Sequence, residues 1–307
     1  MLIHVPGADE HDSGLQHDLG VMAARLAARR RMLGYMLTSG AAALLAGCGG
    51  GSDAMTTSGA GGTSATGTGT NAGTAGTSPG TSLATCTPNS SETAGPYPSD
   101  GSNGTSSSSN SNSLVTTGVV RSDIRSSFGG IGAGIAAGVP LSITLNLFNT
   151  NNNCAALANA AVYLWHCTAD GNYSLYSSSV INENYLRGVQ VSNASGQVTF
   201  QSIFPGCYSG RYPHIHFEIY QSPGLATQFR NAILTSQMAL PRDVCSTVYG
   251  GAPGYTASVG NLAAVQVTTD NVFGDNTAAQ ITAMTPATTG SVAAGYSAVI
   301  AVGVAAS

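Results

Sequence analysis

Residues 141–147, Leu-Ser-Ile-Thr-Leu-Asn-Leu, alternate apolar and polar side chains along the whole stretch. Because successive side chains of a β-strand point to opposite faces, this period of two predicts a strand with one buried face. Residues 161–165, Ala-Val-Tyr-Leu-Trp, are short and apolar throughout, which predicts a strand buried on both faces. The turn formers Asp170 and Gly171 come soon after it.

Further strands are predicted on both sides of these two. Residues 189–191 and 198–200, joined by a turn at 193–196, predict a hairpin, and residues 212–220 and 295–304 predict one strand each. No long helical period follows Cys48. Short strands separated by Gly, Asn, Asp and Ser favour an all-β fold of the β-sandwich type.

The first 48 residues have the pattern of an export signal. Arginines at 25 and 29–31 precede an apolar stretch, 32–47, which is shorter than the roughly 20 residues of a membrane-spanning helix. The stretch ends in Leu-Ala-Gly-Cys48, which resembles a bacterial lipobox with Cys48 as the lipidated residue. The arginines also resemble a twin-arginine signal, which exports folded proteins. An unprocessed amphipathic N-terminus is the alternative; otherwise we expect a lipoprotein anchored to the bacterial cell envelope.

The remainder divides into a tether and one domain. Residues 49–85 are Gly, Ser, Thr and Ala with almost no large side chain, so they cannot bury enough apolar surface to fold and predict a flexible tether. Residues 86–307 suffice for one β-sandwich domain. Beyond Cys48 the chain has six Arg, no Lys and ten acidic residues, a balance that argues against nucleic acid as a partner. Five cysteines remain there, and their pairing cannot be predicted from the sequence.

His214-Ile-His216 is the strongest local indication of a site. Residues i and i+2 of a strand share a face, so both imidazoles can reach one ion, which could be iron, copper, zinc or nickel. A hydrogen-bonded structural pair remains open. Glu218 could complete an iron(II) site of two histidines and one carboxylate, although three residues on a flat strand spread over roughly 13–14 Å. Tyrosine is the better source of further ligands, and Tyr208 and Tyr185 are the candidates.

Five motifs, in order, resemble those of the intradiol ring-cleavage dioxygenases. They are Glu-Thr-Ala-Gly-Pro-Tyr at 92–97, Trp-His-Cys-Thr-Ala-Asp-Gly-Asn-Tyr at 165–173, Tyr-Leu-Arg-Gly-Val-Gln at 185–190, Gly-Gln-Val-Thr-Phe-Gln-Ser-Ile-Phe-Pro-Gly-Cys-Tyr at 196–208 and Gly-Arg-Tyr-Pro-His-Ile-His-Phe at 210–217. Leu-Thr-Ser-Gln at 234–237 is a further match. Together they cover residues 86 to about 240, most of the predicted domain.

The resemblance implies a non-haem Fe(3+) ion held by two tyrosinates and two histidines. Tyr185 and His214 fall on the equatorial ligands, and Tyr208 and His216 on the axial ones. It further implies that Arg211 stabilises charge during the reaction and Gln237 supports it, while Pro96 and Tyr97 line the substrate pocket. The implied substrates are a small catechol-type aromatic diol and O2, and the implied product is a muconate-type diacid.

Other interpretations of the same residues stay open. A transthyretin-like sandwich without catalysis would bind iron or a ligand at the cell surface, and a zinc or copper hydrolase would need a general-base carboxylate that no H-E-x-x-H motif supplies. Trp165 and Tyr163 are interpreted as core aromatics and His166 as a hydrogen-bonded structural histidine. Neither the identity of the catechol nor the oligomeric state can be predicted from the sequence.

Overall fold

Two β-sheets form the framework of the fold. A computed structural model of the chain describes residues 86–104 and 111–307. The strands within these ranges are β1 (Pro140–Asn149), β2 (Ala155–Ala156), β3 (Ala161–Trp165), β4 (Arg187–Val191), β5 (Gln197–Ile203), β6 (His214–Tyr220), β7 (Ala232–Ala239), β8 (Ala287–Ser291) and β9 (Gly295–Val304). One sheet has the order β2-β1-β9-β8, with β5 also paired to β1, and the other has the order β4-β3-β6-β7.

Strand β1 shows why the two sheets pack together. Leu141, Ile143, Leu145 and Leu147 are buried, and the residues between them are partly exposed. Burying each such side chain contributes about 1.5–3 kcal/mol, so the alternating stripe is a large term in the stability of the sheet pair. Inward-facing residues of the second sheet, such as Ile215 of β6, join the same core. The predicted all-β sandwich is confirmed.

The second sheet is buried on both faces. Strand β3 is buried along its whole length, as its apolar sequence predicts. Val162 and Leu164 face the first sheet, whereas Tyr163 and Trp165 belong to a separate apolar cluster on the outer face. Loops and the N-terminal residues cover that outer face, and Tyr97 packs there. The face of the second sheet that points away from the first sheet is therefore also buried, and a site on it can be shielded from water.

The hairpin predicted over 189–200 is wrong, although its turn is present. Strand β4 pairs with β3 and strand β5 pairs with β1, so the turn passes the chain from one sheet to the other. Gly196 (φ +73°) approaches β1 so closely that a Cβ would overlap the carbonyl oxygen of Leu147. The amide of Leu147 donates to the carbonyl of Gly196 at 2.8 Å, which holds the turn on β1. This long-range contact decides the strand partners.

Residues 242–283 contain three short helices that the sequence analysis did not predict. They are α1 (Arg242–Gly251), α2 (Thr256–Ala264) and α3 (Ala278–Ala283). Single-turn 3-10 helices occur at Ser113–Val115, Ser178–Val180, Pro223–Leu225, Phe229–Asn231 and Val267–Thr269. None of the helices in the described ranges is long and apolar enough to cross a membrane. The helical segment packs beside the loop that leads into β6.

A disulfide between Cys86 and Cys154 ties the start of the described domain to the turn after β1. Beyond it, the amide of Asn89 donates to Gly303 at 3.0 Å and the amide of Glu92 donates to Thr235 at 2.8 Å. These bonds tie the N-terminal segment to β9 of the first sheet and to β7 of the second sheet. Cys167, Cys207 and Cys245 are buried free thiols.

We expect the double variant Cys86→Ser/Cys154→Ser to have a free energy of unfolding lower by about 2–4 kcal/mol. The two cysteines are 68 residues apart, so the disulfide removes considerable entropy from the unfolded chain. Denaturant unfolding of the oxidised protein and the variant measures the difference. Equal stabilities would show that the disulfide does not hold this segment in place.

The export signal 1–48, its lipidation residue Cys48 and the tether 49–85 lie outside the described residues. They stay predictions from the sequence.

Candidate metal centre

Strand β6 presents its two histidines on the outer face of the second sheet. His214 and His216 are 2–3% exposed, and Ile215 between them faces the sandwich core. His216 lies opposite Trp165 on β3 and opposite Gln237 on β7. The Trp165 and His216 rings stack with centroids 4.8 Å apart and planes 4° from parallel. The stacking fixes the orientation of the His216 imidazole.

Four side-chain donors converge at one point. The Nε2 atoms of His214 and His216 lie 3.1 Å apart. The hydroxyl oxygens of Tyr173 and Tyr208 each lie 3.4 Å from His214 Nε2. Ligands bound to one ion at about 2.0–2.1 Å lie roughly 3 Å from their neighbours, so these spacings suit donors that share a metal ion.

The protonation states also suit metal binding. His214 Nδ1 lies 2.6 Å from the carbonyl oxygen of Tyr212, so Nδ1–H donates to that carbonyl and the lone pair is left on Nε2. Burial lowers the pKa of His214 to about 3 and also lowers the pKa of His216 well below its ordinary value. Both rings are therefore neutral, and their Nε2 atoms are in contact. A cation bound to both Nε2 atoms would stabilise the close approach of the two rings.

Tyr173 needs a cation in order to ionise. Burial raises the pKa of Tyr173 well above its ordinary value, and the neighbouring Tyr208 adds to the rise. A phenolate forms here when a bound cation offsets the cost of burying negative charge. His216 Nδ1 is buried and has no hydrogen-bond partner within residues 86–104 and 111–307. The donor set therefore fits a hard, highly charged metal ion.

The structure brings Tyr208, His214 and His216 together but places Tyr185 elsewhere. Tyr185 belongs to the large apolar cluster that includes the core between the sheets, whereas Tyr173 and Tyr208 belong to the outer cluster. Among the described residues, Tyr185 makes no hydrogen bond or ring contact with either histidine. Tyr173, and not the expected Tyr185, is thus the second tyrosine that lies beside the two histidines.

The backbone conformation of Leu186 explains why Tyr185 lies apart from the two histidines. Tyr185 precedes Arg187, which pairs with Trp165 and faces the outer side of β4, so a regular strand would place Tyr185 on that side too. However, Leu186 has φ +57°, a left-handed conformation that side chains other than glycine rarely adopt. The alternation of side chains is broken at this residue, so the Tyr185 side chain joins the large apolar cluster instead of pointing to the outer face.

The sequence contains a signal that could have identified Tyr173. It ends the motif at 165–173, whose Asp-Gly-Asn turn folds back on the loop of Tyr208. Gly171 (φ +89°) lies so close that a Cβ would be 3.0 Å from the Cβ of Tyr208. The Tyr173 and Tyr208 rings meet edge to face with centroids 5.8 Å apart. The glycine allows the two tyrosine loops to approach.

Arg211 and Gln237 lie together beside the four donors. Arg211 is 1% exposed, and its Nη2 donates to the side-chain oxygen of Gln237 at 2.7 Å. Gln237 in turn donates to the carbonyl of Thr93 at 2.8 Å, which links β7 to the N-terminal segment. The Arg211 guanidinium also pairs with the carboxylate of Asp270, which the sequence analysis did not identify.

The N-terminal segment, which carries the predicted pocket residues Pro96 and Tyr97, passes close to the donors. Gly95 (φ +68°) passes so near His216 that a Cβ would lie 3.3 Å from the imidazole Cε1. The Tyr97 ring packs against the Tyr173 ring at a tilt of 32°, with centroids 4.8 Å apart. Tyr97 thus borders the donor cluster, and Pro96 lies between Gly95 and Tyr97 in the chain.

Glu218 does not join the histidines. Its carboxyl group accepts from Tyr220 at 2.6 Å and from Thr235 at 3.3 Å, and burial raises its pKa well above the ordinary value. Within residues 86–104 and 111–307, no three His, Cys, Asp or Glu side chains cluster as metal ligands. The site that the structure shows is one of phenols and imidazoles.

His166 has the structural role predicted for it. Its Nδ1 lies 2.7 Å from the Cys167 carbonyl and its Nε2 lies 2.7 Å from the Ser202 hydroxyl. Both ring nitrogens are therefore satisfied away from the four donors. Trp165 and Tyr163 are fully buried aromatics of the outer cluster, as predicted.

Comparisons with known proteins bear on this cluster. No family model matches the chain. A curated relative, the chlorocatechol 1,2-dioxygenase of Rhodococcus opacus, is 29% identical over 111 residues, which are 30% of this chain and 43% of that protein. The chain thus matches less than half the length of this relative.

Two solved structures are described among those that match the chain. An intradiol ring-cleavage dioxygenase from Tetranychus urticae matches with a TM-score of 0.47 and 22% identity, over 61% of this chain and 86% of that one. Catechol 1,2-dioxygenase from Pseudomonas arvilla C-1 matches with a TM-score of 0.40 and 18% identity, over 70% of this chain and 61% of that one. The sequence match to a chlorocatechol 1,2-dioxygenase confirms the resemblance indicated by the motifs.

Proposed function

We propose that the protein is a non-haem iron(III) dioxygenase that cleaves a catechol-type ring between its two hydroxylated carbons. The observation that carries the proposal is that two phenol oxygens and the Nε2 atom of His216 lie 3.1–3.4 Å from His214 Nε2. The proposed ligands are Tyr173, Tyr208, His214 and His216. Phenolate ligands suit a hard, trivalent ion, and the similarity to intradiol dioxygenases supports iron.

The metal, when bound, would draw electron density from a coordinated diol and so make a ring carbon reactive toward O2. The protein supplies the protonation chemistry around that event. A diol that binds as a dianion must release two protons, of which the phenolate oxygen of Tyr208 can accept one and solvent water the other. Tyr208 comes from the loop before β6, which suits it better for this role than Tyr173, whose ring is enclosed by Tyr97 and Tyr208.

The surrounding side chains position the substrate and stabilise charge. Tyr97 borders the donors from the N-terminal segment and, with Pro96, would hold an aromatic ring. Arg211 would stabilise the negative charge that develops on the reacting ring and oxygen, because a preorganised cation in a dry site costs no reorganisation during the reaction. Gln237 holds the guanidinium in place at 2.7 Å. The product is a muconate-type diacid.

O2 uptake with a panel of catechol, substituted catechols and a trihydroxybenzene tests the activity. We expect one O2 consumed per diol and a muconate-type product identified by mass. Iron-loaded protein that binds these diols without consuming O2 would contradict the proposal and favour a non-catalytic binding protein at the cell surface. The panel also identifies the substrate.

We further propose that the protein is exported and lipid-anchored through Cys48. The lipobox supports this, and the Cys86–Cys154 disulfide suits an oxidising compartment. We expect Cys48→Ala to accumulate as precursor or as protein without lipid, measured by membrane fractionation and mass analysis. Recovery of the unaltered chain wholly as soluble protein that retains residues 1–48 would contradict the anchor.

A further inference from the structure

The buried guanidinium of Arg211 is hydrogen-bonded to the protein through its Nε and Nη2 atoms. Its Nε donates to Asp270 at 2.9 Å, and its Nη2 donates to Gln237 at 2.7 Å and to Asp270 at 3.4 Å. Its Nη1 makes no hydrogen bond to a residue in the described ranges. Two of the three guanidinium nitrogens are therefore committed to the protein, and the third is left for another acceptor.

Strand pairing places that guanidinium near the proposed ligands, because its partner Gln237 lies opposite His216. Burial by itself lowers the pKa of Arg211, yet the pKa is raised overall because Tyr208 and Asp270, when ionised, stabilise the cation. Asp270 thus competes with the ligand tyrosines for the same positive charge. A guanidinium without its carboxylate partner would be drawn toward the phenolates or toward water.

Asp270 is built to stay in one place. It is 3% exposed, and its carboxylate also accepts from the backbone amides of Tyr212, Val272 and Phe273 at 2.7–3.1 Å. The amide of Tyr212 directly follows Arg211, so Asp270 holds both the side chain and the backbone of this loop. The carboxylate is therefore a fixed reference point for the guanidinium.

The helical segment that carries Asp270 also holds the loop of Tyr208. Asn261 donates to the carbonyl of Cys207 at 2.7 Å, and the amide of Cys207 donates to the Ser258 hydroxyl at 2.9 Å. The segment lies after residue 240, beyond the motifs that resemble the dioxygenases. A part of the chain without those motifs thus supports the loop that bears both Tyr208 and Arg211.

We infer that Asp270 is a positioning residue, which sets the Arg211 guanidinium beside the metal ligands so that its Nη1 faces the charge that develops in the reaction. The inference rests on the proposed function. Asp270 touches no metal ligand through a hydrogen bond of its own carboxylate, and it acts through Arg211.

Asp270→Asn tests the role in the iron-loaded protein. We expect unchanged iron content and visible spectrum, because the four ligands remain. We expect kcat to fall about 10–100-fold, the loss that follows a misplaced group, with KM changed far less. Asp270→Glu keeps the charge but shifts it by one methylene and should recover part of kcat. Asp123→Asn, at an exposed pair with Arg125, is the matched control and should behave as the unaltered protein.

A double variant separates positioning from a general structural role. If Asp270 acts through Arg211, Asp270→Asn should lower kcat no further in an Arg211→Leu background. The double variant also removes both buried charges, so it lacks the unpaired buried guanidinium that destabilises Asp270→Asn. A further loss of kcat in the double variant, or near-normal kcat in Asp270→Asn, would overturn the inference.

The proposed function fails by a different result. Unaltered protein that binds no iron or cleaves no diol would contradict the function, whatever Asp270→Asn does. Active unaltered protein with equally active Asp270→Asn would contradict the positioning role alone.

Discussion

Tyr173→Phe is expected to bleach or strongly shift the visible band of the iron-loaded protein and to lower turnover by more than about 100-fold. Changes in groups outside the ligand shell commonly cost about 10–100-fold, and a lost ligand should cost more. The Tyr173 hydroxyl lies 3.4 Å from His214 Nε2 and is fully enclosed. The measurements are the visible spectrum, iron content and steady-state turnover of the variant.

Tyr185→Phe is the matched control for this variant. This variant also removes one phenol hydroxyl group. The motif resemblance assigned Tyr185 to the metal, but the residue belongs to the large apolar cluster. We expect an unchanged spectrum and near-normal turnover. The opposite pattern, with a band lost in Tyr185→Phe and retained in Tyr173→Phe, would contradict the ligand set proposed from the structure.

Arg211→Leu is expected to keep iron and colour but to lose about 10²–10³ in kcat, the range for removing one preorganised electrostatic partner. Arg211 is 1% exposed beside the ligands, and the chain beyond Cys48 has six arginines and no lysine to replace it. Single-turnover ring cleavage in the iron-replete variant measures the effect. Because Asp270 then lacks its partner, the variant should also unfold at a lower temperature.

Arg211→Lys tests whether geometry or charge alone matters. Lysine keeps the charge but cannot bond Asp270 and Gln237 with one planar group, so we expect partial recovery of kcat. Near-normal single-turnover cleavage in Arg211→Leu would reduce this residue to a structural role.

The local patterns of the sequence predicted the sheets and three of the four donors. The alternation along β1 and the apolar run of β3 report burial directly, because each strand residue faces one side of its sheet. His214 and His216 follow from the same rule, and Tyr208 lies only six residues before His214. Short separations leave the chain little freedom, so local reasoning succeeds there.

Longer separations decided what the sequence could not show. The left-handed backbone at Leu186 places the Tyr185 side chain in the large apolar cluster, and no side-chain pattern signals that conformation. The partner of β5 depends on packing against β1, more than 50 residues earlier in the chain. Asp270 meets Arg211 across 59 residues, from a segment with none of the recognised motifs. Such contacts are products of the tertiary fold.

Metal analysis with the visible spectrum of the purified, unaltered protein tests the central claim most directly. A ferric ion held by two tyrosinates should give about one iron per chain and a red-brown charge-transfer band. Addition of a catechol should then change that band, because the diol joins the same ion. A colourless protein that contains zinc, copper or no metal after purification and iron reconstitution would contradict the account.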